Sequence, residues 1–62
     1  MSRHLQVEYW KDGGWYVGQL PQVPGVFSQG ATLDELEENI RDAYRMMIGE
    51  SVSLLRLVPA GN

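Results

Sequence analysis

Polar and apolar residues alternate from near the start of the chain. Leu5, Val7 and Tyr9 stand against Gln6, Glu8 and Trp10, the period-two pattern of a strand with one buried face. Lys11-Asp12-Gly13-Gly14 follows as a hairpin turn, with two glycines available for positive φ. Trp15 to Leu20 reads as the returning strand, aromatic and β-branched, and Gly18 within it marks a bulge or a close backbone approach. Pro21 and Pro24 lack an N–H and hold φ near one value, so the residues between them read as an extended crossing segment or sheet edge, with a bend at Gly25. Val26 to Ser28 is a short third strand, broken by Gly30.

The period then changes from two to that of a helix. Thr32 and Glu35 form a T-x-x-E capping box, in which each side chain is expected to satisfy the other residue's backbone N–H. From Leu33 to about Ile48, the residues Leu33, Leu36, Ile40, Ala43, Tyr44, Met47 and Ile48 share one face, as a helix laid on a sheet requires. Gly49 is placed to end that helix, Met46 points away from the apolar arc, and Glu37 at its margin can pair with Arg41 one turn on. The last apolar run, Ser51 to Val58, alternates Val52, Leu54, Arg56 and Val58 with Ser53, Leu55 and Leu57. Both of its faces are therefore apolar, and with one helix to cover them, Val52, Leu54, Leu55 and Leu57 are candidates for self-association. The expected class is α+β with the order βββαβ: a three-stranded antiparallel meander, one helix, and a last strand pairing parallel to the first through the helical crossover. One domain over residues 1–58 is expected, followed by a frayed tail from Pro59 to Asn62.

Composition sharpens this picture. A chain of 62 residues buries only roughly 60% of the surface that it exposes when unfolded. With no cysteine it has neither a disulfide framework nor a thiolate metal site, so oligomerisation, as dimer or tetramer, is the leading means of stabilisation. The net charge of −3 is concentrated: residues 34 to 50 hold Asp34, Glu35, Glu37, Glu38, Asp42 and Glu50 against Arg41 and Arg45. An acidic helix suits a basic protein partner and repels phosphate. Five Lys plus Arg without a basic stripe argue against direct nucleic-acid binding. No apolar run approaches the length of a membrane span and the N-terminus has no signal-peptide core, so no membrane association and a cytoplasmic location are expected.

Catalytic chemistry finds little purchase. Two-metal hydrolysis needs clustered carboxylates, but strand acids are confined to Glu8, with Asp12 in the turn. His4 is the sole imidazole and has no partner at a recognisable spacing. No phosphate-binding glycine motif or metal-ligand spacing is present, so no catalytic residue, metal or cofactor is expected.

Gly14, Tyr16, Val17, Pro21, the Pro24-Gly25 pair, Ser28-Gln29-Gly30, Thr32-Leu33, Glu35, Asn39-Ile40 and Ala43 form an ordered set covering a little over half the chain. In that set the sequence resembles the N-terminal domain of the HicB antitoxin family, of UPF0150 type. The resemblance implies a partial ribonuclease H-like fold and a partner: a HicA-type toxin, a small basic ribonuclease that cleaves messenger RNA with a histidine. The implied role is to bind this toxin and occlude its active face. Glu37, Glu38 and Asp42 are candidates for charge complementarity, with Trp15 and Phe27 as apolar anchors. Longer members of the family add a DNA-binding domain, and with the sequence stopping at Asn62, DNA binding by these residues is not expected. The competing expectation is an orphan oligomeric scaffold or regulator of the same fold, without a toxin.

Overall fold

The computed structural model describes residues 4–61, so Arg3 and Asn62 lie outside it. The elements are β1 (His4–Asp12), β2 (Trp15–Gln19), β3 (Phe27–Gly30), α1 (Leu33–Ile48) and β4 (Leu54–Pro59). They build one sheet in the order β3-β2-β1-β4. The three consecutive strands pair antiparallel, and β4 returns across α1 to lie parallel to β1. The α+β class and the parallel return of the last strand are as the pattern predicts.

One face of this sheet carries the helix. Leu5 and Val7 of β1 meet Leu36, Ile40 and Tyr44 of α1, and Leu20, Val26, Val52 and Leu55 close the core. All nine are buried. Leu36, Ile40 and Tyr44 recur at four-residue spacing, so a single stripe of the helix accounts for its contribution.

Several boundaries differ from the sequence reading, each for a physical reason. The β1–β2 hairpin closes through Gly13 and Gly14 alone, because Lys11 and Asp12 stay in register with Tyr16 and Trp15. Pro21 and Pro24 do not flank an extended segment. Each is the second residue of a β-turn, closed by Val23 N–H to Leu20 O at 3.1 Å and by Val26 N–H to Val23 O at 3.2 Å. Gly25, at φ 98°, takes the left-handed position that the second turn demands. These turns carry Val26 into the core instead of into a strand, so β3 begins one residue later.

Gly30 is the last residue of β3, opposite Tyr16, and not its breaker. A Cβ there would lie 2.6 Å from Leu36 N, so a side chain would push the first turn of the helix off the sheet. The capping box forms with one shift. Thr32 Oγ1 accepts from Glu35 N–H at 3.1 Å, but the Glu35 carboxylate accepts from Ala31 N–H at 2.6 Å, one residue before the cap. Gly49 ends the helix as expected, donating its N–H to Arg45 O.

The last strand starts at Leu54, not Ser51. Val52 sits in the preceding loop, where Arg41 donates to its carbonyl at 2.8 Å. The alternation is therefore broken before the strand begins, and Val52 and Leu55 both reach the core although strict alternation sets them on opposite faces. At the other end the ladder continues past the expected fraying point: Pro59 pairs with Tyr9, and Ala60 N–H donates to Tyr9 O.

Candidate functional site

The second face of the sheet has no helix. In β1 the even-numbered side chains point to it, and the register of the neighbouring strands sets out what surrounds them. Glu8 lies in a row with Gln19, Phe27 and Val58; Trp10 lies in a row with Val17 and Gln29; Asp12 stands opposite Trp15. The lower rows pair Gln6 with Arg56 and His4 with Leu54. Phe27 is 70% exposed, Trp15 49% and Trp10 39%. Three aromatic side chains exposed to this degree leave on the order of 350 Å² of apolar surface, comparable with the largest patch on a typical monomer. Their charged neighbours are the carboxylates of Glu8 and Asp12. Gln19 Nε2 lies 3.5 Å from Glu8 Oε1, a long contact that leaves the carboxylate accessible.

The outer face of α1 is a different kind of surface. Glu37 pairs with Arg41 at 3.1 Å, and Asp42 with Arg45 at 3.0 Å. Glu35 is held in the cap. Asp34 and Glu38 make no hydrogen bond or ion pair among the described residues, so they carry most of the uncompensated negative charge of the helix. The Asp42–Arg45 pair is exposed and contributes roughly 0–1 kcal/mol to stability, leaving Asp42 available to a partner, whereas the Glu37–Arg41 pair is half-buried and Arg41 also donates to Val52 O.

The five sequence-named partner-binding residues therefore fall into two groups. Trp15 and Phe27 lie on the open face of the sheet, whereas Glu37, Glu38 and Asp42 belong to the helix on the opposite side. One flat contact cannot use both groups. Trp10, Glu8 and Asp12 complete the open face; their signal in the sequence was the alternation of β1, which sets Trp10 and both acids on the side away from Leu5 and Val7.

Of the four residues named for self-association, Val52 and Leu55 are buried in the core of the chain itself and Leu57 is half-buried against it. Only Leu54, 51% exposed, offers its side chain freely. Met47 and Ile48, on the apolar arc in the sequence reading, are exposed together with Met46 in the last turn of α1. Met47 rests near Gly25 of the second proline turn.

His4 is exposed and lines a shallow depression with Gln6, Gln22, Leu54 and Arg56. Among the described residues no three His, Cys, Asp or Glu side chains gather closely enough to hold a metal ion. No helix among them is long and apolar enough to cross a membrane.

The chain is similar to a UPF0150 protein of Synechocystis, with 41% identity over 39 residues, covering 63% of this chain and 56% of that protein. It is also similar to a UPF0150 protein of Thermotoga maritima, with 33% identity over 45 residues, covering 73% of this chain and 60% of that protein. The chain thus spans less than two thirds of the length of these relatives. Both carry the UPF0150 name, which bears out the resemblance read from the sequence. No family model matches the chain, and no solved structure matches it.

Proposed function

We propose that this chain is a non-catalytic binding module of antitoxin type, which binds a small basic HicA-type ribonuclease toxin and covers its active face. The observation that carries this reading is the open face of the sheet, where Trp10, Trp15 and Phe27 are exposed beside Glu8 and Asp12. Exposed tryptophan and phenylalanine are costly to leave in water and are the side chains that dominate binding energy when a partner covers them. Carboxylates among the rings suit lysine and arginine, which an RNA-cleaving protein needs in order to hold phosphates. Arginine can also stack on the indoles. The acidic outer face of α1 has a separate part: Asp34 and Glu38 add to the long-range attraction of a basic partner and raise its association rate.

The test mixes the purified chain with a purified HicA-type toxin. A stable complex by size exclusion with light scattering, and suppression of RNA cleavage at stoichiometric amounts, is the expected result. Cleavage that continues unchanged in excess chain would overturn the reading.

A further inference from the structure

The open face of the sheet is not uniform along its strands. Its aromatic and acidic part lies between the hairpin and the row of Glu8, Gln19, Phe27 and Val58. Below that row stand Gln6 with Arg56, then His4 with Leu54. Gln6 and Asp12 are about 20 Å apart along β1, at a rise of about 3.3 Å per residue, so the face has two ends. The Arg56 guanidinium makes no hydrogen bond or ion pair among the described residues, and Glu8, one row away, does not neutralise it. It lines a shallow depression with His4, Gln6, Gln22 and Leu54, and no carboxylate borders that depression. All of these side chains except Leu54 carry N–H donors.

The area of an interface decides whether a partner reaches this lower end. The aromatic patch offers on the order of 350 Å², whereas a stable interface of standard size covers about 800 Å² on each partner. The hairpin closes the sheet at Gly13 and Gly14, so coverage within this face can grow only downward. A partner seated on the aromatic residues therefore comes to lie over Arg56. Covering an unpaired guanidinium strips its water, which is costly unless the partner supplies an anion. The planar fork of donors on arginine matches a carboxylate.

We propose, building on the antitoxin reading above, that Arg56 is a specificity-determining residue that pairs with a carboxylate on the contact surface of the toxin. His4, Gln6 and Gln22 offer that carboxylate further donors. The partner is then recognised by a two-ended charge pattern, with cationic groups opposite Glu8 and Asp12 and an acidic side chain opposite Arg56. This fixes the direction in which the toxin lies along the strands and disfavours proteins that are basic throughout. Net charge alone makes the opposite prediction. The chain stands at −3, so removing one of its positive charges strengthens its attraction to a basic protein, whereas loss of a specific pair weakens binding.

The test compares Arg56→Gln with Lys11→Gln, which removes the same charge from the helix side of β1, where Lys11 lies over the Tyr16 ring. Both side chains are exposed, so both variants keep the core intact. Binding kinetics are measured against a purified, RNA-free HicA-type toxin. Arg56→Gln should bind about tenfold or more weakly, through faster dissociation, while Lys11→Gln binds at least as tightly as the wild type. Unchanged or tighter binding by Arg56→Gln would overturn the assignment, as would an equal loss in both variants. A loss seen only with RNA-loaded toxin would also overturn it, in favour of a phosphate against Arg56. Absence of binding by the wild-type chain overturns the antitoxin reading and this assignment with it; the other contrary results overturn the assignment alone.

Discussion

The two faces of the sheet are made from the same strands by the same alternation, yet one is buried under the helix and the other is left open. On the helix side, Leu5, Val7, Leu36, Ile40 and Tyr44 are buried completely or nearly so, and their contacts hold the fold together. On the open side, Trp10, Trp15 and Phe27 remain exposed with Glu8 and Asp12 among them. In a chain this short, leaving three large aromatic side chains outside the core forgoes much of the available hydrophobic stabilisation. The helix-side face bears stability, and in the proposed function the open face bears recognition.

Substitutions on the two sides should therefore separate by what they change. The largest effect on the fold is expected at Ile40→Ala, which leaves a cavity in the centre of the core and should cost about 2–5 kcal/mol in denaturant unfolding. For a domain of this size that approaches its whole stability. Gly30→Ala should also be strongly destabilising, because its Cβ meets helix backbone at 2.6 Å and not a movable side chain. At Gly18 the added Cβ would lie 2.8 Å from Val7 Cγ1, a side-chain atom, so Gly18→Ala should cost less than Gly30→Ala in the same assay.

Next comes the open face: Trp15→Ala with Phe27→Ala should shift the unfolding free energy by less than about 1 kcal/mol, yet weaken toxin affinity by two orders of magnitude or more. Glu38→Lys with Asp34→Lys should lower affinity only several-fold, mainly through the association rate, with an effect that fades as salt rises. Thr32→Ala should cost about 1 kcal/mol through loss of the bond to Glu35 N–H, without changing affinity. The smallest effect is expected for the exposed Asp42–Arg45 pair, with a coupling of about 0.2–0.5 kcal/mol in a double-mutant cycle.

Helix and hairpin were legible in the sequence because their signals are local. Thr32, Glu35 and Gly49 mark the ends of α1 by capping chemistry alone, and Leu36, Ile40 and Tyr44 mark its buried stripe. The departures came where one chain signal has two structural solutions. Gly30 looks the same as a strand breaker and as a point of close approach, and only the position of Leu36 decides. Pro21 and Pro24 fit both an extended segment and a pair of turns; the decision lies with the need to bury both Leu20 and Val26. Val52 and Leu55 were separated by an alternation that does not operate in the loop before β4. Of the candidate site, Trp15 and Phe27 stood out as aromatic residues, but their separation from Glu37, Glu38 and Asp42 depends on which side of the sheet the helix covers.

The most direct test of the division between the two faces is to measure toxin affinity and denaturant midpoint on one preparation of the Trp15→Ala, Phe27→Ala variant beside the wild type. Unfolding with an almost unchanged midpoint and at least a hundredfold rise in Kd is the predicted result. Wild-type affinity in that variant, or a loss of stability approaching that of Ile40→Ala, would contradict the assignment of the open face to recognition.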